Sequence, residues 1–216
     1  MMIFQPAQAR KTRSEQLLHR RGIAVDAELP PLPDEQTVRL RPAWEVAERA
    51  LALFAVAARA EGLDQAAAIQ FLEERSLWMA ATREEQTFLL DPEPDEQDRL
   101  QFVWRYESLW VLLWALGHLE NLGWPGVICD IERVTLIAWR TPVEAFVEMA
   151  ALRPAGEILD AADLTYRCHW AAVDARLRGE DPPGDLDASI VYERHYALNW
   201  LTCHLEQEWD DVSTDV

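Results

Sequence analysis

The chain has 216 residues, half of them hydrophobic, and 20 basic against 38 acidic side chains leave a formal charge of -18. That size and balance suit one soluble globular domain and exclude a disordered chain. The negative field argues against general affinity for nucleic acid or anionic membrane. The longest apolar runs, Ala50–Ala58 and Leu109–Leu116, are far shorter than the roughly 20 residues needed to cross a bilayer.

The expected elements follow from helix punctuation. Residues 1–10 read as an N-terminal extension, and Lys11–Arg21 as a short basic amphipathic helix stopped by Gly22. Leu29-Pro30-Pro31-Leu32-Pro33 must be extended, because each proline fixes its own φ and biases its predecessor away from helix. Pro42 suits the first turn of a helix ending at Gly62, and Asp64 can cap a further one to about Arg75. Thr82-Arg83-Glu84-Glu85 reads as a capping box, and Asp95 opens a long helix expected to reach about Glu120. After a loop at Asn121–Cys129, Asp130 caps Ile131–Trp139, and Thr141-Pro142-Val143-Glu144 has the spacing of a capped start. Pro154 opens a helix to about Arg178, stopped by Gly179, and Asp187 caps a last helix expected to run to about Glu208. No segment alternates like a strand between hairpin turns. The expected fold is all-α: one domain over 11–209, a bundle of about seven to nine helices with three long central ones, those beginning near Glu96, Pro154 and Asp187.

Charge is uneven along the chain. Residues 1–21 carry five basic side chains against Glu15, whereas 180–216 carry ten acidic ones against Arg194. Residues 210–216 form an acidic tail, and Glu206–Asp215 reads as a solvated, frayed end. Ten tryptophans, mostly on apolar helical faces, read first as core plates. Cys129, Cys168 and Cys203 are odd in number and lack C-x-x-C spacing. With no apolar signal core near Met1, they point to a reduced cytoplasmic protein.

The informative residues are ionisable or polar groups that interrupt the central helices. Glu107 has Val103, Trp104, Trp110, Val111 and Trp114 at helical spacing, so a carboxylate there needs a partner; Arg167, Arg176 and Arg194 are the available donors. Asp163 and Arg167 stand i,i+4 with Asp174 on the same flank, and Tyr166 belongs to the apolar stripe beside them. His169 and Arg176 lie two turns apart on the opposite flank. Arg194 and His195 fall on the leucine face of the last helix, and Asn199 lies between its two apolar sides. These ten residues form either an internal network that fixes helix packing or a polar pocket in which arginines clamp an anion and Glu107 or His169 serves as base. There is no phosphate-binding loop, dinucleotide fingerprint, His-Glu-x-x-His, Glu-x-x-His or Gly-x-Ser-x-Gly. No metal, cofactor or nucleophile is therefore expected.

Three segments carry a resemblance: Trp104-Arg105-Tyr106-Glu107-Ser108-Leu109-Trp110 with the apolar run after it, Tyr166–Leu177, and Val191–Leu201. Together with Gly22-Ile23-Ala24-Val25 and the Leu29–Pro33 segment, they resemble the bacterial family called domain of unknown function 4272 over roughly residues 11–201. The resemblance implies a bacterial single-domain protein and supplies no activity, cofactor or catalytic residue. Two functions fit the chain. One is a non-enzymatic protein-binding domain, adaptor- or immunity-like, whose acidic surface steers a basic partner. The other is a small-ligand-binding protein or enzyme that uses the polar cluster.

Overall fold

A computed structural model describes residues 6–216. Among them are only helices, turns and extended segments, packed as a single all-α domain. The helices are α1 (Pro6–Arg20), α2 (Ala43–Glu61), α3 (Gln65–Glu73), α4 (Arg83–Leu90), α5 (Glu96–Val103), α6 (Arg105–Ala115), α7 (Ile131–Arg140), α8 (Val143–Glu148), α9 (Ala155–Leu177) and α10 (Ala188–Leu201). Counting α5 and α6 as one helix broken at Trp104 gives nine.

The predicted punctuation is largely what ends and begins these helices. Four of them stop at a glycine with positive φ: α1, α2 and α9 at the expected Gly22, Gly62 and Gly179, and α6 at Gly117, short of the expected Glu120. In each, the next backbone N–H returns to a carbonyl one turn inside the helix, as His118 does to Leu113 at 2.9 Å. Only glycine takes that left-handed conformation without a Cβ penalty, which is why the helix stops there. Asp64, Asp95, Asp130 and Asp187 accept N-cap bonds, and Thr82 with Glu85 closes the capping box. Before α8 the expected cap is absent: Pro142 occupies the N-cap position and no side chain caps the helix.

Packing revises the expected hierarchy. The most buried helix is α2, whose residues from Arg49 to Ala60 are all buried, and it packs on α6, α5 and α3. The small alanines that make up much of α2 let its neighbours approach on every side. Helix α10 packs on α9 and α6, and α1 lies along α9. Burial all round holds for α6 but not for α5, where Leu100 is exposed, and Leu177 at the end of α9 is exposed as well.

Both chain ends differ from expectation. Pro6–Arg10, placed in an extension, already belong to α1, and Arg10 is buried between Asp160, Glu35 and the carbonyl of Pro33. Residues 1–5 of that extension lie outside the described residues. Helix α10 stops at Leu201, and the acidic segment after it folds back onto the bundle instead of fraying. Trp209 is buried, the Tyr196 hydroxyl donates to the Trp209 carbonyl, and Asn199 Nδ2 donates to the Ser213 carbonyl at 2.9 Å. An apolar indole at position 209 gives the segment an anchor that its net charge conceals. Of the ten tryptophans, Trp114, Trp200 and Trp209 are buried, Trp44 and Trp139 are exposed, and the others are half-buried.

Candidate functional site

The structure divides the ten polar residues into separate groups. Glu107 Oε2 accepts from Arg194 Nε at 3.0 Å, and its Oε1 accepts from the Cys129 backbone N–H at 2.6 Å. Arg194 Nη1 also donates to the carbonyls of Leu122 and Gly123, at 3.1 and 3.0 Å. Acid and base are both buried, so this pair ties the α6–α7 loop to the two helices beneath it. Arg167 grips Asp163 through two bonds of 3.0 and 2.9 Å and donates to the Pro30 carbonyl at 3.2 Å, which fixes the proline-rich segment against α9. Asp174 pairs with Arg178 near the surface, and Asn199 is engaged by the C-terminal segment. These groups are paired with one another or with backbone, apart from Arg167 Nη1, which is buried 3.6 Å from Glu15 without a hydrogen bond.

The histidines form a pair of another kind. His169 on α9 and His195 on α10 meet Nδ1 to Nδ1 at 2.8 Å, with Tyr166 packed against His195 and Tyr192 edge-on to His169. Burial pushes His169 down to about 4, helped by the Arg176 charge, and pushes His195 down to about 3, helped by His169 and His204. Both imidazoles are therefore neutral near pH 7, one Nδ1 donating and the other accepting. Outside this pair lies a groove of about 320 Å³ between the end of α5, the later turns of α9 and the start of α10. His169, Arg176, Trp104, Tyr192 and Glu193 are among its lining residues.

A second cleft, of about 370 Å³, lies at the other end of α10. The C-terminal segment is folded there over the start of α2. Glu45, Glu48, Glu208, Asp210 and Asp211 line it, with Trp200, Trp209 and the exposed Met79. Glu45 and Glu208 are paired with Arg41, and Arg49 with Glu85. Among the described residues the carboxylates of Glu48, Asp210 and Asp211 pair with nothing. The buried Trp209 indole N–H has no acceptor. Burial and the neighbouring Glu45 charge raise the Glu48 carboxyl above its ordinary range. Among the described residues, no three His, Cys, Asp or Glu side chains converge as a metal-ligand set.

Residues 10–212 match the family described as domain of unknown function (DUF4272). The chain belongs to the DUF4272 family. No curated protein and no solved structure matches it. The match extends the resemblance past Leu201 and takes in the folded-back segment, including Trp209. For this DUF4272 domain the family carries no activity, so a functional reading rests on the two cavities.

Helical-face reasoning missed two buried ion pairs and a third whose acid is exposed. One joins Arg49 to Glu85; another joins Arg105 to Glu193, at 3.2 Å, with Ser108 Oγ donating to Glu193 at 2.6 Å. The third joins Arg10 to Asp160, at 3.0 Å. A signal for Arg49 was available, since it directly precedes the apolar run Ala50–Ala58 and so had to lie at a buried helix face. The acidic cleft was missed because its walls are about 160 residues apart in sequence. Its one visible signal was a tryptophan within an acidic stretch. No helix among the described residues is long and apolar enough to cross a membrane.

Proposed function

We propose that this protein is a non-enzymatic binding domain, adaptor- or immunity-like, that takes a basic segment of a partner protein into the acidic cleft beside Trp209. The observation that carries the reading is the set of three unpaired carboxylates, Glu48, Asp210 and Asp211, that line one cleft together with Trp209. An arginine or lysine from the partner supplies the missing positive charge. A cation arriving beside Glu48 also relieves the like charge of Glu45. Met79 and Trp200 give the aliphatic part of a basic side chain an apolar surface to lie on. The net charge of -18 steers such a partner at long range, while the cleft supplies short-range recognition.

The test is fluorescence anisotropy with a labelled arginine- and lysine-rich nonapeptide, titrated at low and moderate salt. The triple variant Glu48→Gln, Asp210→Asn, Asp211→Asn is expected to weaken binding by about tenfold or more. Neutralising three exposed carboxylates elsewhere, Glu132, Glu144 and Glu148, is expected to change it little. Equal losses from the two triples would mean that only diffuse charge attracts the peptide, and the cleft would not be its site.

A further inference from the structure

The groove beside His169 is built differently from the acidic cleft. Arg176 lines it and makes no ion pair or hydrogen bond among the described residues, so it presents an unpaired guanidinium there. Glu193 also lines it, but its charge is met by Arg105 Nη1, at 3.2 and 3.3 Å, and by Ser108. Asp174 is occupied by Arg178, and Asp187 by the first N–H groups of α10. Arg176 is therefore the lining residue whose charge no neighbouring side chain meets. His169 is 7% exposed, and its one hydrogen bond uses Nδ1, which leaves Nε2 without a partner. Trp104 and Tyr192 supply aromatic surface, and Ala172 and Val173 an apolar floor. A volume of about 320 Å³ is at the small end of ligand sites.

We propose that this groove binds a small planar organic carboxylate, its anion held by Arg176 and by His169 Nε2–H and its ring against Trp104 and Tyr192. The histidine pair sets the donor. When His169 carries its proton on Nε2, its bare Nδ1 accepts from His195 Nδ1–H, so the ligand selects one of two tautomers already joined by a hydrogen bond. Guanidinium and imidazole N–H together favour a carboxylate over an uncharged amide of the same shape. The site is independent of the basic-segment reading, since Tyr192 and Trp200 lie at opposite ends of α10.

Calorimetric titration with indole-3-acetate and benzoate, and with indole-3-acetamide as the uncharged counterpart, tests this directly. The acids are expected to bind the wild type, with indole-3-acetamide weaker by about tenfold or more. Arg176→Gln, a change at an exposed position that leaves the core untouched, is expected to cost the acids a similar factor. The triple variant of the acidic cleft is expected to leave their affinity unchanged. Nitrogen NMR of labelled histidine should show His169 moving to the Nε2–H form on titration. The proposal is overturned if neither acid binds at concentrations up to about 10 mM, if acid and amide bind alike, or if Arg176→Gln leaves the affinity as it was.

Discussion

At the scale of single residues, Glu107 shows what a buried charge commits a sequence to. Its carboxylate serves Arg194 at one oxygen and the Cys129 N–H at the other. Glu107→Ala therefore strands a guanidinium that is 2% exposed. The expected loss is about 3–5 kcal/mol in urea unfolding, the cost of leaving one partner of a buried pair uncompensated. An unchanged midpoint would mean that Arg194 finds sufficient partners in the Leu122 and Gly123 carbonyls. The histidine pair makes a different commitment, to pH. Both imidazoles titrate near 6.5 in the unfolded chain but are held down to about 4 and about 3 when folded. Below pH 6.5 the unfolded chain therefore binds more protons than the native one, and stability falls with pH. The contribution is fully present above about pH 6.5 and declines toward about pH 4 for His169 and about pH 3 for His195, by up to about 1.4 kcal/mol per pH unit for each. His195→Gln should flatten the slope of stability between pH 7 and 5 relative to wild type. An equal slope in the variant would assign the acid sensitivity to other groups.

At the scale of elements, the segment after α10 is the part whose local preference and final conformation disagree most. Cys203, Leu205 and Glu206 all have positive φ, at 49°, 54° and 57°, a region that costs residues with a Cβ about 1–2 kcal/mol each. The burial of Trp209 and the bonds from Tyr196 and Asn199 offset that cost. Leu205 is 67% exposed, so Leu205→Gly removes strain without opening a cavity. The expected gain is up to about 1 kcal/mol, reduced by the extra freedom of glycine in the unfolded chain. A loss instead would show that the Leu205 side chain contributes more contact than its exposure indicates. The same segment marks where sequence reading stops. Helix starts at Asp64, Thr82 and Asp187, and stops at Gly22, Gly62 and Gly179, were legible because caps act within one turn. A helical wheel likewise gives the face of Glu107 or Arg194, and Arg194 was among the donors available to Glu107. It gives neither height along the axis nor the neighbour met there. The ten polar residues therefore read as one cluster, when they occupy several levels of the bundle. The cleft was hidden for a related reason: one buried indole overrides a run of carboxylates, and only the fold brings residue 209 to residue 48.

At the scale of the whole molecule, charge is distributed so that internal pairs and surface repulsion respond oppositely to salt. The basic first helix is used internally, through Arg10 to Asp160 and Glu35. The buried pairs Arg49–Glu85, Arg194–Glu107 and Arg167–Asp163 are out of reach of screening ions. What faces water is largely unpaired carboxylate, for a net of -18 on a body with a radius of gyration of about 17 Å. At about 10 mM salt the Debye length, ~30 Å, spans the molecule, and carboxylates on all sides repel one another. At about 150 mM it is ~8 Å, and only near neighbours still interact. Added sodium chloride should therefore raise the melting temperature over that range by a few degrees, about 2–4 °C for each kcal/mol of repulsion removed in a domain of this length. Potassium chloride should do the same, since screening depends on ionic strength and not on a particular cation. A fall in melting temperature would mean that exposed pairs such as Arg153–Glu157 and Arg178–Asp174 outweigh the repulsion. A rise with one cation only would indicate specific binding, with the unpaired carboxylates of the cleft as the first place to look.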